Sequence, residues 1–352
     1  MHKPDSQQGL EEREVSGVNS SDDASLRLID DECPDVSVVV CTHLVERFSC
    51  LVECLDAVQR QSTSPLEVIV VVDGQPDICH LLAKRDGPEI VLSTPGPSGL
   101  SNARNLGIKR ATGRCVAFLD DDAIPDTDWL RSLRVALIQP NVAGVSGLSQ
   151  PLWEGDAPAW LPPELYWALG CSYEGMPKER AEVRNVFGGC ACFDRGLFER
   201  VGGFRPDLGR DRRGLAGCEE TEFCVRVLRS TSGLHFLHEP AAVILHRVPR
   251  ARQRVSYILR RCRDEGRSKA IFRREAAGFV GSLSSERSYL TKTVPTALRR
   301  DLLAAAKGDL AGLGRSAMLL GGIAATSFSF VVTATRWRTV EPRSAPDVHH
   351  DA

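Results

Sequence analysis

No Cys-x-x-Cys pair occurs in this 352-residue chain, and no cysteine stands at zinc-like spacing from a histidine. That argues against zinc modules and thioredoxin-like redox sites. Twelve cysteines are nevertheless present. Cys41, Cys54, Cys115, Cys190, Cys192 and Cys224 fall inside apolar runs, so they read as reduced core thiols of a cytoplasmic protein. No secretory signal is expected, because Met1-His2-Lys3 leads into polar, acidic residues. No internal repeat is found. No glycine- and lysine-rich phosphate loop follows the first apolar run. A strong net charge is absent too: 44 Lys and Arg against 46 Asp and Glu leave −2. The basic segments carry no interleaved aromatics, so nucleic acid is not an expected partner.

The composition is 42% hydrophobic and 26% charged, ordinary for a soluble globular protein. Its length suits one large domain or two smaller ones. The charge is unevenly spread. Glu11, Glu12, Glu14, Asp22, Asp23, Asp30, Asp31 and Glu32 make the N-terminus acidic, whereas Arg247 to Arg274 is rich in arginine. The basic stretch reads as a solvated helical face, a contact for the diphosphate of a ligand or an acidic acceptor, or a contact for anionic lipid.

Short apolar runs alternate with amphipathic stretches from Pro34 onward. Strands are expected at Val36–Cys41, Glu67–Val72, Glu89–Ser93 and Cys115–Leu119. Helices are expected at Phe48–Arg60, Ser101–Ala111 and Asp128 to about Gln139. Continuous Val and Ile runs separated by helices predict a mostly parallel sheet covered on both faces. Ligands of such sheets bind beyond the carboxyl ends of the strands. Residues 150–185 hold Trp153, Trp160 and Trp167 among five prolines. They read as an irregular wall whose tryptophans either stack on sugar or fill a small core. Val186–Phe193 and Ala242–His246 read as strands, and Glu219–Ser230 as a helix. Ser316–Thr335 contains no charged residue and is about long enough to span a bilayer. A helix packed on the protein or lying at an interface is the reading preferred to a spanning one.

The most informative feature is Asp120-Asp121-Asp122, which ends an apolar strand. Two unit charges ~4 Å apart interact by roughly 4 kcal/mol at an effective dielectric of about 20. Water, a cation or protonation must relieve that repulsion. An isolated triplet reads as an exposed acidic turn. Its neighbours point instead to a metal and nucleotide site.

Four segments together resemble the inverting glycosyltransferases of family two, which have the GT-A fold. They are Ser37 to Arg47 with Val68 to Gly74, Gly99 to Gly107 (Gly-Leu-Ser-Asn-Ala-Arg-Asn-Leu-Gly), Val116 to Pro125, and Gly217 to Phe223 (Gly-Cys-Glu-Glu-Thr-Glu-Phe) followed by Pro240 and His246. The likeness covers roughly residues 35–250. It implies an α/β GT-A fold: a Rossmann-like, mostly parallel sheet flanked by helices, with a helical C-terminal extension. The implied activity is metal-dependent, inverting, hexosyltransferase-like transfer from a nucleoside-diphosphate sugar, UDP-linked by family habit. The implied acceptor is a hydroxyl on a glycan, a lipid-linked glycan or a small molecule.

The resemblance also implies roles. Thr42 and Asp73 contact the nucleotide base, and a carboxylate there can accept a base N–H. Arg47 and Arg104 meet the base edge or the diphosphate, which suits the planar guanidinium fork. Asp120 and Asp122 match an Asp-x-Asp motif. Asp120 contacts ribose or metal, Asp122 binds Mn²⁺ or Mg²⁺, and Asp121 can substitute for either. A histidine at a strand end is commonly a satisfied polar residue; by resemblance His246 completes the metal site. Glu220, with Glu219 as second choice, is the general base; acids in a helix's first turn also have a plain dipole explanation. Asn185, Gly188, Gly189 and Trp153 fall on the acceptor side. The family's acidic pair is usually Glu-Asp, where this chain has Glu219-Glu220, and Cys190 stands where many relatives carry Asn.

The expected organisation is an acidic disordered tail at 1–34 and a GT-A domain at 35–250. Within it, 35–125 would bind nucleotide-sugar, and 126–250 would supply the acceptor side and base. A basic then apolar helical extension at 251–340 follows, and a tail at 341–352. The extension carries an expected peripheral contact at the inner face of the cell membrane. Two alternatives remain: a nucleotidyltransferase acting on sugar phosphates, and a non-catalytic GT-A-fold protein associated with a membrane.

Overall fold

A computed structural model describes residues 35–85, 87–208, 217–275 and 284–336. The tails expected at 1–34 and 341–352 lie outside these residues. The first half alternates strands and helices: β1 (Val36–Thr42), α1 (Phe48–Gln59), β2 (Glu67–Val72), α2 (Pro76–Arg85), β3 (Ile90–Ser93), α3 (Leu100–Arg110) and β4 (Cys115–Asp120). β5 (Ala123–Pro125), α4 (Trp129–Leu137), β6 (Val142–Trp153), β7 (Ala181–Val183), β8 (Cys190–Asp194), α5 (Gly196–Val201), α6 (Glu219–Ser230) and β9 (His235–Val248) complete the sheet and its cover. Four helices follow: α7 (Val255–Glu275), α8 (Ser284–Ser288), α9 (Val294–Ala306) and α10 (Ala311–Arg336).

The sheet order is β3-β2-β1-β4-β8-β6-β9-β5, with β7 paired to β9. β1 to β4 are mutually parallel where they pair, β8 is antiparallel to both of its neighbours, and β6 runs parallel to β9. Alternate residues of β1 explain the two layers. Val38 and Val40 face a core with Leu51, Leu55, Trp129 and Leu133 of α1 and α4. Val39 faces the other core, with Ala103 of α3, Phe198 of α5 and Phe223 of α6. Both faces are covered, which is why β1 and β2 are apolar throughout. The chain moves from β1 to β2 and β3 on one side and to β4 on the other. That reversal opens a crevice at the carboxyl ends of β1 and β4.

The longer strands differ from expectation. β6 spans 12 residues and runs into the stretch read as irregular wall. β9 spans 14 residues, where only Ala242–His246 was expected. β6 and β9 pair with register shifts at Val142/Gly144 and Ser146/Leu148, and such bulges break the period-two pattern that identifies a strand. β8 begins at Cys190, because Gly188 and Gly189 lie in the turn before it.

A third apolar cluster joins Leu165 and Leu169 of a 3-10 turn (Pro163–Leu169) to Ile258 and Cys262 of α7 and to Met318 and Leu319 of α10. This cluster holds the C-terminal helices against the sheet domain. Beside it sits a buried acidic pair. Glu164 is 1% and Asp301 0% exposed. Arg300 bonds both Glu164 oxygens at 2.9 and 3.2 Å, and Arg315 Nε bonds Asp301 at 3.0 Å. Replacing Arg300 with Met leaves the Glu164 carboxylate buried without that partner. The expected loss is about 2 kcal/mol in chemical denaturation. That is below the roughly 3–5 kcal/mol typical of a sealed pair, because Arg300 is itself half-exposed. Arg315 gives a smaller loss when replaced in the same way, because Asp301 keeps its bonds to Arg300.

Candidate active site

Three strand ends supply the polar groups, as crevice topology requires. In register, Cys41 of β1 lies beside Asp120 of β4, so Thr42 adjoins the acidic triplet. Thr42 Oγ1 donates to Asp121 Oδ2 at 2.7 Å, and Arg47 Nη1 lies 3.1 Å from both Asp121 and Asp122. Burial and the neighbouring Asp122 push the Asp121 carboxyl up to about 6, with Arg47 and Thr42 opposing. Asp73 follows β2. Its Oδ1 accepts from Ser98 N (2.7 Å), Ser98 Oγ (2.8 Å) and Thr94 Oγ1 (2.9 Å), while Oδ2 accepts from Gly99 N at 2.9 Å. Burial alone would raise this carboxyl, but these donors leave it below its usual range. Asp73 therefore fixes the loop that leads into α3.

Asp120, Asp122 and His246 each offer a ligand atom, and these atoms lie within 4.8 Å of one another. His246 arrives from β9, which pairs with β5 in the register Ala123↔His246. Its Nδ1 is 3.4 Å from Asp122 Oδ1. Two carboxylates and one imidazole form a donor set suited to a divalent ion such as Mn²⁺ or Mg²⁺. Guanidinium groups already serve as cations here: Arg252 contacts His246 Nε2 and Asp122 Oδ2, each at 3.1 Å, and Arg47 contacts Asp122 from another side. A positive charge is thus satisfied at this spot, and the residues present fit a metal. Arg252 was not singled out from sequence. Its signal was weak: one arginine among many, six positions after His246.

Arg104, on the first turns of α3, connects this cluster to α6. Its Nη1 lies 2.8 Å from Glu220 Oε1 and 3.3 Å from Glu219 Oε1, and its Nη2 is 3.9 Å from Asp120. The guanidinium also sits 5.6 Å from the ring centres of Phe118 and Phe204. Burial works against its charge, but Glu220, Glu219 and Asp120 outweigh burial and raise its pKa above the ordinary arginine value. Glu219 is 2% exposed, whereas Glu220 is more open to the cleft. A Cβ at Gly188 would overlap the Glu220 carboxylate, and one at Gly189 would overlap Asp120. These glycines let the backbone before β8 run against both acids.

A cavity of about 910 Å³ is lined by Asp120, His246, Arg104, Glu219, Glu220, Asn185, Gly188 and Gly189. Among the described residues, the structure thus brings most of the expected site residues to one cleft. Thr42, Arg47, Asp121 and Asp122 join it through the contacts above. Trp153 is placed elsewhere. Its ring meets Tyr166 edge-on at 5.4 Å in the third apolar cluster, where packing accounts for it. Cys190 lines the cavity but is buried, and its Sγ accepts from Trp129 Nε1 at 3.2 Å. Burial pushes its thiol up to about 12, so it stays a neutral thiol. Further along, Arg184 and Lys269 bond Glu286 at 2.8 and 2.7 Å, and all three line the cavity. Burial would raise the Glu286 carboxyl, yet Lys269 and Arg184 hold it at about 2.

With this geometry in view, known proteins are informative. The profile of Glycosyl transferase family 2 matches residues 37–202. A glucosyl-dolichyl phosphate glucuronosyltransferase of Haloferax volcanii is 31% identical over 240 residues, covering 67% of this chain and 76% of that protein. The chain belongs to glycosyl transferase family 2. It is a glycosyltransferase, and that sets aside both the nucleotidyltransferase and the non-catalytic alternatives. An uncharacterized glycosyltransferase, EpsJ, of Bacillus subtilis is 36% identical over 137 residues, which is 38% of each chain. The mannosyltransferase PcManGT of Pyrobaculum calidifontis, solved with GDP-Man and Mn²⁺, superposes with a TM-score of 0.57 at 24% identity over 88% of each chain. The fold of this glycosyltransferase is GT-A.

The glycine contacts yield a test. Gly188→Ala must displace the Glu220 side chain from Cγ outward, while Glu219 still pairs with Arg104, so the fold survives. For a group that takes a proton in the reaction, losing its set position by about 1 Å costs on the order of 100-fold in turnover. The expected outcome is that drop in sugar-transfer rate, with an unchanged circular dichroism spectrum and melting temperature.

Proposed function

We propose that this glycosyltransferase moves a sugar from a nucleoside-diphosphate sugar, UDP-linked by family habit, to an acceptor hydroxyl with inversion at the anomeric carbon. The observation that carries this reading is the single guanidinium of Arg104, which contacts Glu220 and reaches toward Asp120. A base and a donor motif so close to one another suit a reaction in which acceptor and donor must meet.

The steps follow from the side chains. An alcohol is a poor nucleophile at neutral pH. Glu220 accepts the hydroxyl proton as the oxygen attacks the anomeric carbon. Attack from the face opposite the diphosphate inverts the centre. Arg104 and Arg47 meet the negative charge that grows on the departing diphosphate, a reading their nearness to Asp120 and Asp122 supports. Thr42 and Asp73 receive the nucleotide base. Asp73 Oδ2 has one donor, Gly99 N, and so keeps lone pairs for a base N–H. Asp122 and His246 would hold the divalent ion, with Asp120 beside them. When bound, that ion supplies positive charge near the diphosphate. Its imidazole ligand favours Mn²⁺ slightly over Mg²⁺. Asn185, Gly188 and Gly189 shape the space for a glycan, lipid-linked glycan or small-molecule acceptor.

A panel of nucleotide sugars, assayed for donor hydrolysis and transfer with Mn²⁺, tests the reading. Glu220→Gln should lower turnover by roughly 10²–10⁴-fold while keeping the thermal stabilisation caused by donor. Asp122→Ala should lose the metal-dependent part of that stabilisation. Wild-type turnover in both variants sinks the mechanism. In a separate measurement, EDTA should abolish the donor-induced rise in melting temperature, and added Mn²⁺ should restore it.

A further inference from the structure

We propose that the outward face of α10 docks on an anionic lipid bilayer, with the helix lying along the surface, so that the acceptor cavity borders the membrane. The inference rests on the reading above only in assigning that cavity to the acceptor.

The first observation is a row of side chains. Leu313, Ala317, Leu320, Ala324, Phe328 and Val331 recur at helical spacing on one side of α10, and all are exposed. Phe328 is 71%, Val331 56% and Leu320 52% exposed. Single exposed apolar residues are ordinary, but a continuous row marks an interaction surface. The opposite side of the helix is already committed, since Met318 and Leu319 enter the third core.

The second observation is charge. α7 lies along α10, with Gly266 so close that a Cβ would overlap the Thr326 carbonyl. The exposed positions of α7 include Arg260, Arg263 and Arg267 at i, i+3 and i+7. Arg273 of α7 sits 5.8 Å over the Phe330 ring of α10, tying the two helices together. Apolar side chains on one helix and arginines on its neighbour complement acyl chains and anionic headgroups.

The third observation decides between lying and crossing. By length and composition α10 could cross a membrane. Crossing would carry the arginines of α7 into hydrocarbon, because the two helices are packed side by side. Guanidinium groups are strongly disfavoured there. A flat orientation leaves them among the headgroups. It also places the cavity usefully. Ile323, Thr326, Phe330 and Val331 of α10 line the same cavity as Glu220, and Val331 belongs to the exposed row as well. An acceptor with an apolar tail then reaches Glu220 while its tail stays in the bilayer.

Flotation of the full-length protein with vesicles tests this, using phosphatidylcholine alone and phosphatidylcholine mixed with phosphatidylglycerol. Wild type should float with the mixed vesicles and be released by alkaline carbonate. Leu320→Glu with Phe328→Glu should cut the floated fraction about tenfold, with an unchanged melting temperature and unchanged hydrolysis of nucleotide sugar in solution. Arg260→Gln, Arg263→Gln and Arg267→Gln combined should remove the preference for the anionic vesicles. Wild type that fails to float overturns the proposal. So does an equally buoyant Leu320/Phe328 variant, or resistance to carbonate, which means a spanning helix. A wild-type dimer in sedimentation velocity that the double variant dissolves, without flotation, assigns the row to a second copy and also overturns it. Hydrolysis in solution is read separately, so failure of the catalytic reading leaves the flotation result intact.

Discussion

A guanidinium sealed among carboxylates organises this molecule. Arg104 is 3% exposed and Glu219 2%, and neither charge could stand there alone. Removing one partner from a buried ion pair leaves the other uncompensated, typically at several kcal/mol. The sequence around Arg104 serves that constraint. Asp73 fixes the loop ahead of α3, so the helix starts where Arg104 can reach α6. Phe118 and Phe204 present ring faces to the guanidinium, which suits a cation more weakly hydrated than ammonium. Gly188 and Gly189 let the chain pass close enough for Glu220 and Asp120 to be neighbours. The contacts that shape the cleft and those that keep its buried charges paired are therefore the same.

A second balance operates at the strand ends. Asp121 and Asp122 sit at 4% exposure beside each other. Arg47 and Arg252 approach from separate segments, and Thr42 donates from β1. The repulsion anticipated for the triplet is thus offset by two guanidinium groups and a hydroxyl. Long arginine side chains can exchange their carboxylate partners for phosphate oxygens, which they also bind in a forked geometry. The site is electrostatically poised, with its charges matched before any ligand arrives.

Much of this was legible in the sequence, and what was not has physical reasons. β1, β2, α1 and α6 were readable because their apolar positions follow one period without interruption. β6 and β9 were not, since Gly144, Gly147 and Pro240 break the pattern and bulges shift the register. The acids of the cleft stood out because carboxylates at strand ends are unusual. Arg252, Arg184 and Lys269 did not, because a single charge within a basic helix or loop carries no local signal. Their partners, Asp122 and Glu286, lie 130, 102 and 17 positions away along the chain. Trp153 could be read from sequence either as a sugar platform or as packing; its half-buried ring packs against a cluster that the C-terminal helices complete.

Those helices change how the arginine-rich stretch is understood. Read alone, residues 247–274 offered a solvated face, a phosphate contact or a lipid contact. The fold divides these among different residues. Arg252 turns inward to Asp122 and His246. Arg261 donates to the Ala168 carbonyl and lines the cavity. Arg260, Arg263 and Arg267 remain on the outer face of α7. Arg252 sits in a separate 3-10 turn, Arg250–Gln253, ahead of an extended Arg254; within α7, helical periodicity separates Arg261 from Arg260, Arg263 and Arg267, because residues one apart point about 100° away from each other. One stretch of chain therefore reaches the strand-end acids, bonds a buried turn and presents charge outward at the same time. The apolar segment follows the same logic, with Met318 and Leu319 inside and Leu320 outside. Packing of α7 against α10, through Gly266 and the Arg273–Phe330 contact, then ties the two helices together, so a change to the buried side of one is felt by the other.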